Sequence, residues 1–262
     1  MEILTVQFIF FNLFFLIGVV KNDFSTIDIG WSLSFLTIFL TGYLSSSSEV
    51  GTRILLIGIL VSVWALRLSS YILLRSLKKN EEDYRYKLWR NDWEKNVNLN
   101  AYFRVYMLQA LLSLIIASPL FLIFKFSNMK QFGNWSDVLG VILFLAGFFF
   151  ESVSDYQKNE FKKIASNKSK ILKSGLWKYS RHPNYFGEAL LWWGIFFIVI
   201  NIVPFYLAVI GPLILHIFLI KVSGVSLLEK KYKSNLEYEN YKLNTNSFIP
   251  FIKFNNRGKR EK

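Results

Sequence analysis

Long uncharged runs alternate with short basic segments along this chain. Ile3–Val20 and Ile29–Leu44 contain no Asp, Glu, Lys or Arg, and Ile54–Leu66 continues through Arg67 to Leu74. Val105–Phe124 and Val138–Phe150 are likewise uncharged. A helix that crosses the hydrocarbon core needs about 20 mostly apolar residues, so each run, with its neighbours, predicts one span. Pro119 predicts a kink near the end of the fourth.

Ala189–Ile220 runs for 32 residues without an acidic or basic residue. That exceeds one ordinary span, and Asn201 and Pro204 interrupt it near the middle. The reading is a helical hairpin turning at Asn201–Pro204, which brings the total to seven spans. The predicted class is an all-α polytopic membrane protein forming one membrane domain over 1–262. The N-terminal helices, 1–124, are expected to hold the substrate, and 136–262 the cofactor.

Counting basic residues on alternate loops gives the expected orientation. Of 31 Lys and Arg, 26 fall on one side: Lys21, the segments Arg75–Lys95 and Lys158–Arg181, and the tail from Lys221. Arg53, Lys125 and Lys130 fall on the other, and Arg67 and Arg104 lie within spans. The positive-inside rule then predicts the N-terminus outside and the C-terminus inside.

Composition agrees with this pattern. The chain is 53% hydrophobic and 18% aromatic, with 26 Phe and a mean hydropathy of +0.32, beyond what a soluble domain carries. The net charge of +13 is assigned to cytoplasmic loops facing anionic lipid, with no nucleic-acid partner. The first apolar run lacks a basic n-region and a small-residue cleavage site, so it reads as a retained helix. Absence of Cys excludes disulfides and thiolate chemistry, and two His leave no metal set. The chain has neither a GxGxxG fingerprint nor a Walker loop.

Two segments concentrate polar chemistry at membrane borders. In 174–188, Arg181, His182, Asn184, Tyr185 and Glu188 precede an uncharged stretch. Pro183 suits the first turn of a helix, which puts Asn184, Glu188 and Trp192 on one face. Its free N–H groups, with Arg181 and His182, suit an anion. Interfacial anchoring accounts for Trp177, Tyr179 and Arg181 but leaves Glu188, a turn inside, needing a partner. In the second segment Glu151, Asp155, Lys158 and Lys162 share one helix face. There Asp155 suits ribose hydroxyls, and Lys158 or Lys162 suits phosphates. His216, alone in the last span, reads as a hydrogen-bonded structural residue. Asp28 reads as a cap for the second span, and Arg67 as facing a cavity or snorkelling.

These residues carry a resemblance. The chain resembles the steroid 5α-reductase superfamily, specifically its small bacterial membrane branch, over most of its length. The matching parts are Glu151-x-x-x-Asp155-x-Gln157-Lys158-x-x-Phe161 and Gly175-Leu176-Trp177-x-Tyr179-Ser180-Arg181-His182-Pro183-Asn184-Tyr185-Phe186-Gly187-Glu188. They continue with Ser223-Gly224, Leu228-Glu229 and Tyr238-x-x-Tyr241 leading to Phe248-Ile249-Pro250-Phe251. Upstream, Trp64-x-x-Arg67 and Asp83-Tyr84-Arg85-Tyr86 are similar to the same branch.

The resemblance implies a seven-helix bundle in a bacterial cytoplasmic membrane, taking NADPH from the cytosolic side. It also implies reduction of a carbon–carbon double bond conjugated to a ketone in a lipophilic substrate. Glu151, Asp155, Lys158, Arg181, His182, Asn184, Tyr185 and Glu188 would line the NADPH pocket, and Glu229 and Tyr241 would close over it. The family's Gln-Glu pair and tyrosine that hold the substrate ketone have no placed match. Asp28, Arg67 and Tyr71 are the nearest polar residues of the N-terminal half. A membrane methyltransferase of the isoprenylcysteine carboxyl methyltransferase type, using S-adenosylmethionine, shares the Arg-His-Pro-x-Tyr core. A non-catalytic lipid-binding protein is the third reading.

Overall fold

The structure is a computed structural model that describes residues 1–46, 51–79, 81–126, 132–167, 170–222, 224–225, 229, 232 and 235–251. Ser223, Leu228 and Lys130, read above, lie outside the described residues. The described residues are helical and contain no strand, only an isolated bridge between Ser180 and Asn246. The all-α class read from the sequence is the class observed.

The helices are α1 (Glu2–Val20), α2 (Thr26–Ser45), α3 (Thr52–Lys79) and α4 (Tyr84–Asp92). After them α5 (Val97–Ala101) passes through a π-helical stretch, Tyr102–Met107, into α6 (Leu108–Ile116). Next come α7 (Ser118–Phe126), α8 (Trp135–Lys163), α9 (Pro183–Val199), α10 (Phe205–Ala208) and α11 (Ile210–Ile217), then α12 (Leu236–Asn244). Six helical stretches are long and apolar enough to cross a membrane: α1, α2, α3, Val97–Ile116, α8 and Phe205–Val222. The protein is therefore a multi-pass integral membrane protein. Helix α9, expected as a further span, is shorter at 17 residues.

The expected fourth span differs in register. It begins at Val97 and ends at Ile116, and a new helix starts at Ser118. Pro119 is the second residue of α7, so it opens that helix instead of kinking its predecessor. Proline has no N–H to donate backwards and fits a first helical turn. Ala117 N–H closes α6 on Ser113 O at 2.8 Å, while Leu120 N–H returns to Ala117 O at 2.8 Å. The expected break after α9 is present, with residues 200–204 leading into α10.

The chain divides into two compact units. The first is Met1–Asn134 with Val199–Gly211, and the second is Trp135–Ile198 with Pro212–Lys262. In the first, α2 packs between α1 and α3, around buried Phe11, Phe24, Ile27, Tyr86, Val105 and Tyr106. Helix α4 is held there by charge. Asp28 pairs with Arg85 Nη2 at 2.5 Å and accepts from Tyr86 Oη at 2.6 Å. Glu82 accepts from Phe24 N at 2.8 Å and pairs with Arg90 Nη2 at 3.0 Å. Asp28 thus anchors α4 and does not cap α2, whose cap position is Ser25.

In the second unit, α8 and α9 run antiparallel with their backbones in near contact. Gly140 and Gly147 are seven residues apart on α8, as are Gly187 and Gly194 on α9. A Cβ on Gly140 would stand 2.6 Å from Gly194 O, and one on Gly147 would stand 2.5 Å from Gly187 O. Small residues at this spacing let two membrane helices close without a side chain between them. The contact runs to Glu151, whose backbone lies against Gly187.

Candidate functional site

The close approach of α8 and α9 brings the polar motif at the C-terminal end of one helix to the head of the other. Glu151 and Asp155 of α8 are buried, as are Arg181, His182 and Glu188 around the start of α9. Helix α9 begins at Pro183, as read from the sequence. Asn184 Nδ2 donates to Asp155 Oδ1 at 3.3 Å, a direct side-chain link between the two motifs. Asn184 Oδ1 is buried and accepts no hydrogen bond among the described residues.

The turn before α9 is fixed by α8 side chains. Gly175 has φ +62° and lies directly against the Gln157 amide, a left-handed conformation that glycine adopts without strain. Gln157 Oε1 accepts from Leu176 N at 3.0 Å, and Trp177 Nε1 donates to Ser154 O at 3.1 Å. Lys158 Nζ stands 5.1 Å from the centre of the Trp177 ring, within cation–π range. Lys162, read as a phosphate partner, donates to Asn167 O at 3.1 Å and Lys170 O at 2.8 Å. Gln157, Trp177 and Ser180 were not singled out as site residues, although all three lie inside the quoted motifs.

Arg181 is committed to the protein. Its Nε and Nη2 donate to Glu229 Oε1 at 2.8 and 2.7 Å, and Nη1 donates to the carbonyls of Thr245 and Lys242. Its backbone N–H reaches Asn246 O at 2.8 Å. His182 Nε2 stands 3.5 Å from Glu229 Oε1, the outer limit of a hydrogen bond, and has no other partner among the described residues. The His182 and Tyr185 rings stack at 8° with centroids 5.7 Å apart. Burial pushes His182 below its ordinary value, while Glu229 pulls the other way. Burial alone would raise Glu229; the adjacent His182 imidazole and the Arg181 charge outweigh it and hold the carboxyl low.

Helix α12 and the segment after it close this turn like a clasp. Tyr241 Oη donates to the carbonyl of Trp177 and lies 3.3 Å from Ser180 O. Ser180 Oγ donates to Phe248 O at 2.7 Å and accepts from His182 N at 3.1 Å. Phe248 lies edge-on to Phe186 and to His216, with centroids 5.9 and 5.1 Å away. His216 Nδ1 is buried without a hydrogen-bond partner among the described residues, so aromatic packing takes the place of the hydrogen bond expected there. The distances in this clasp are those of a folded support, which assigns Tyr241, Arg181 and Glu229 to holding the turn.

Asp28, Arg67 and Tyr71 belong to the first unit. Asp28 is engaged by Arg85 and Tyr86, and the Arg67 guanidinium lies 5.5 Å from the centre of the Tyr71 ring. Among the described residues no group of three His, Asp or Glu is disposed to hold a metal ion.

The chain belongs to the family described as protein of unknown function (DUF1295), whose model matches residues 14–245. It is 27% identical over 216 residues to a Schizosaccharomyces pombe protein named only as uncharacterized, covering 72% of this chain. The match spans 61% of that relative's length. No solved structure matches the chain.

Proposed function

We propose that the protein is a membrane-embedded, NADPH-dependent reductase of a carbon–carbon double bond conjugated to a carbonyl in a lipophilic substrate. The observation that carries this reading is the buried polar cluster at the head of α9. Asp155 and Asn184 meet there, and Asn184 Oδ1 has a lone pair with no donor. A buried acceptor left unpaired costs about 1–3 kcal/mol, and the hydroxyls and amides of a dinucleotide would recover that cost. Lys158, beside Trp177, supplies positive charge for phosphate. The donor set therefore fits NADPH.

In this reading Asp155 accepts from a ribose hydroxyl and Asn184 accepts from an N–H or O–H of the cofactor. Glu151 and Glu188 line the deeper end, and the stacked His182 and Tyr185 rings give the site a flat wall. Arg181, Glu229 and Tyr241 hold the turn, so their role is positioning. When bound, NADPH supplies the hydride that such a reduction needs. The basic segments favour an orientation with this end toward the cytosol, where a soluble dinucleotide reaches it.

The test is ligand titration of the purified protein in detergent, read by thermal unfolding. NADPH should raise the unfolding midpoint, and Asn184→Ala or Glu188→Ala should remove the shift while the protein still inserts. A response to S-adenosylmethionine alone would replace the reductase by a methyltransferase. Silence toward both overturns an enzyme of either kind.

A further inference from the structure

The first unit has a recess that the reductase reading leaves unused. It opens where the start of α2, the last turns of α3 and the linker before α4 meet. Ser25, at the cap position of α2, and Asp28 face it from one side, Ile72, Arg75 and Ser76 from α3, and Glu81 and Asp83 from the linker. Each carboxylate already has a cation: Glu81 pairs with Lys87 at 2.8 Å, and Asp28 and Asp83 share one. Arg85 bridges them, with Nη2 at 2.5 Å from Asp28 and Nε at 3.0 Å from Asp83.

Arg75 is different. Among the described residues its guanidinium has no hydrogen bond or ion pair, and its close contact is the Tyr71 ring, 5.7 Å to the centroid. Its field still reaches Asp83. Burial would raise that carboxyl, but Arg85 and, further off, Arg75 hold it below its usual value. The recess thus contains five N–H donors on one side chain with no acceptor in place.

Charge decides what kind of acceptor fits. Asp28, Asp83 and Glu81 are balanced by Arg85, Arg75 and Lys87, the last paired with Glu81 at 2.8 Å, so the group is neutral. An incoming carboxylate or phosphate would stand beside three carboxylates, and an ammonium beside two guanidiniums; both meet like-charge repulsion. A neutral oxygen meets neither and gives Arg75 the hydrogen bond it lacks. Ile72 offers apolar surface beside it, at the end of a helix long enough to cross the membrane. An amphipath held here has its chain in lipid and its polar head in the recess.

We infer that this recess binds the neutral carbonyl oxygen of an amphipathic lipid, with Arg75 as the hydrogen-bond donor. Two sources share that chemistry: a long-chain enone, and the ester carbonyl of a bilayer glycerolipid. The site itself stands apart from the cofactor; naming an enone as its occupant rests on the reductase reading.

The test is photo-crosslinking of the full chain in detergent with a diazirine-bearing long-chain enone, the labelled peptide being mapped by mass spectrometry. Label should fall on the peptide containing Ile72–Ser76. Arg75→Gln should cut it about tenfold, the lower end for losing a hydrogen bond to a charged group, and Arg75→Lys should keep part of it. Unlabelled enone should compete at least several-fold better than a carboxylate of equal chain length. Labelling that ignores Arg75→Gln in a variant with a wild-type unfolding midpoint overturns the site. Stronger competition by the carboxylate overturns the neutral-oxygen assignment. Competition by phosphatidylcholine equal to the enone keeps the carbonyl site and overturns the enone as its occupant. NADPH titration of the same samples separates the two readings, since label at Arg75 without NADPH binding sinks the reductase alone.

Discussion

Replacing Gly187 by alanine probes the contact on which the polar cluster is built. A Cβ at this position would sit 2.5 Å from Gly147 O and 3.0 Å from Glu151 Cα, and closer still to Glu151 N. All three neighbours are backbone of α8, so no side-chain rotation relieves the clash and the helices must separate. Ordinary carbon contacts lie near 3.5–4.0 Å, which sets the displacement at about 1 Å. Overpacking of this kind costs about 1–3 kcal/mol, while alanine returns up to about 1 kcal/mol of helix propensity. Because the clash is with backbone at several points, the packing cost wins, with a net loss of roughly 1–2 kcal/mol. Gly58 is the internal control. There the added Cβ would meet the Phe39 ring, a side chain able to move, so Gly58→Ala should cost less. The assay is thermal unfolding of the two variants in the same detergent, with NADPH affinity measured in parallel. Gly187→Ala should unfold at the lower temperature and bind the dinucleotide less well, because Glu151 and Asp155 move with α8. A Gly187→Ala protein as stable as wild type would refute the backbone contact.

Tyr241→Phe should cost about 1–2 kcal/mol by leaving buried carbonyls of the Trp177–Ser180 turn without their donor, and limited proteolysis should then cut the segment after α12 sooner. Asp28→Ala strips Arg85 and Tyr86 of their acceptor and should cost about 2 kcal/mol, seen as a lower unfolding midpoint without loss of NADPH affinity. The pH dependence follows from two lowered groups. His182, depressed from 6.5, stays neutral in the fold while the unfolded histidine takes a proton, so stability falls as pH drops below 6.5. Glu229, depressed from 4.5, adds a second loss as pH falls below 4.5 toward its folded value. His182→Asn should flatten the first part of that slope in thermal unfolding between pH 7 and 5; an unchanged slope would place the titration elsewhere.

The apolar helices were legible because lipid admits few charges, and uncharged runs mark them directly. The C-terminal end of α8 was legible for another reason: Glu151, Asp155, Lys158 and Lys162 keep helical spacing beyond the uncharged run that ends at Phe150. What escaped is long-range. Glu229 meets Arg181 across 48 residues, and no local spacing encodes such a pair. Arg181 therefore read as an anion ligand when its donors are spent inside the fold. Asp28 read as a cap because its partners Arg85 and Tyr86 lie 57 and 58 residues away. The seven-residue glycine spacing stands openly in α8 and α9, but two glycines per helix acquire meaning only when their helices are seen to face each other.

The clasp also imposes an order on biosynthesis. Ser180 receives its Phe248 partner only after 68 further residues have been made. At about 5–20 residues per second, that interval lasts roughly 3–14 s. Throughout it, the turn carrying Arg181 and His182 waits with its later partners not yet synthesised. The head of α9 is thus completed from the tail backward, and a ribosome stalled before Phe248 leaves that helix without its finished head.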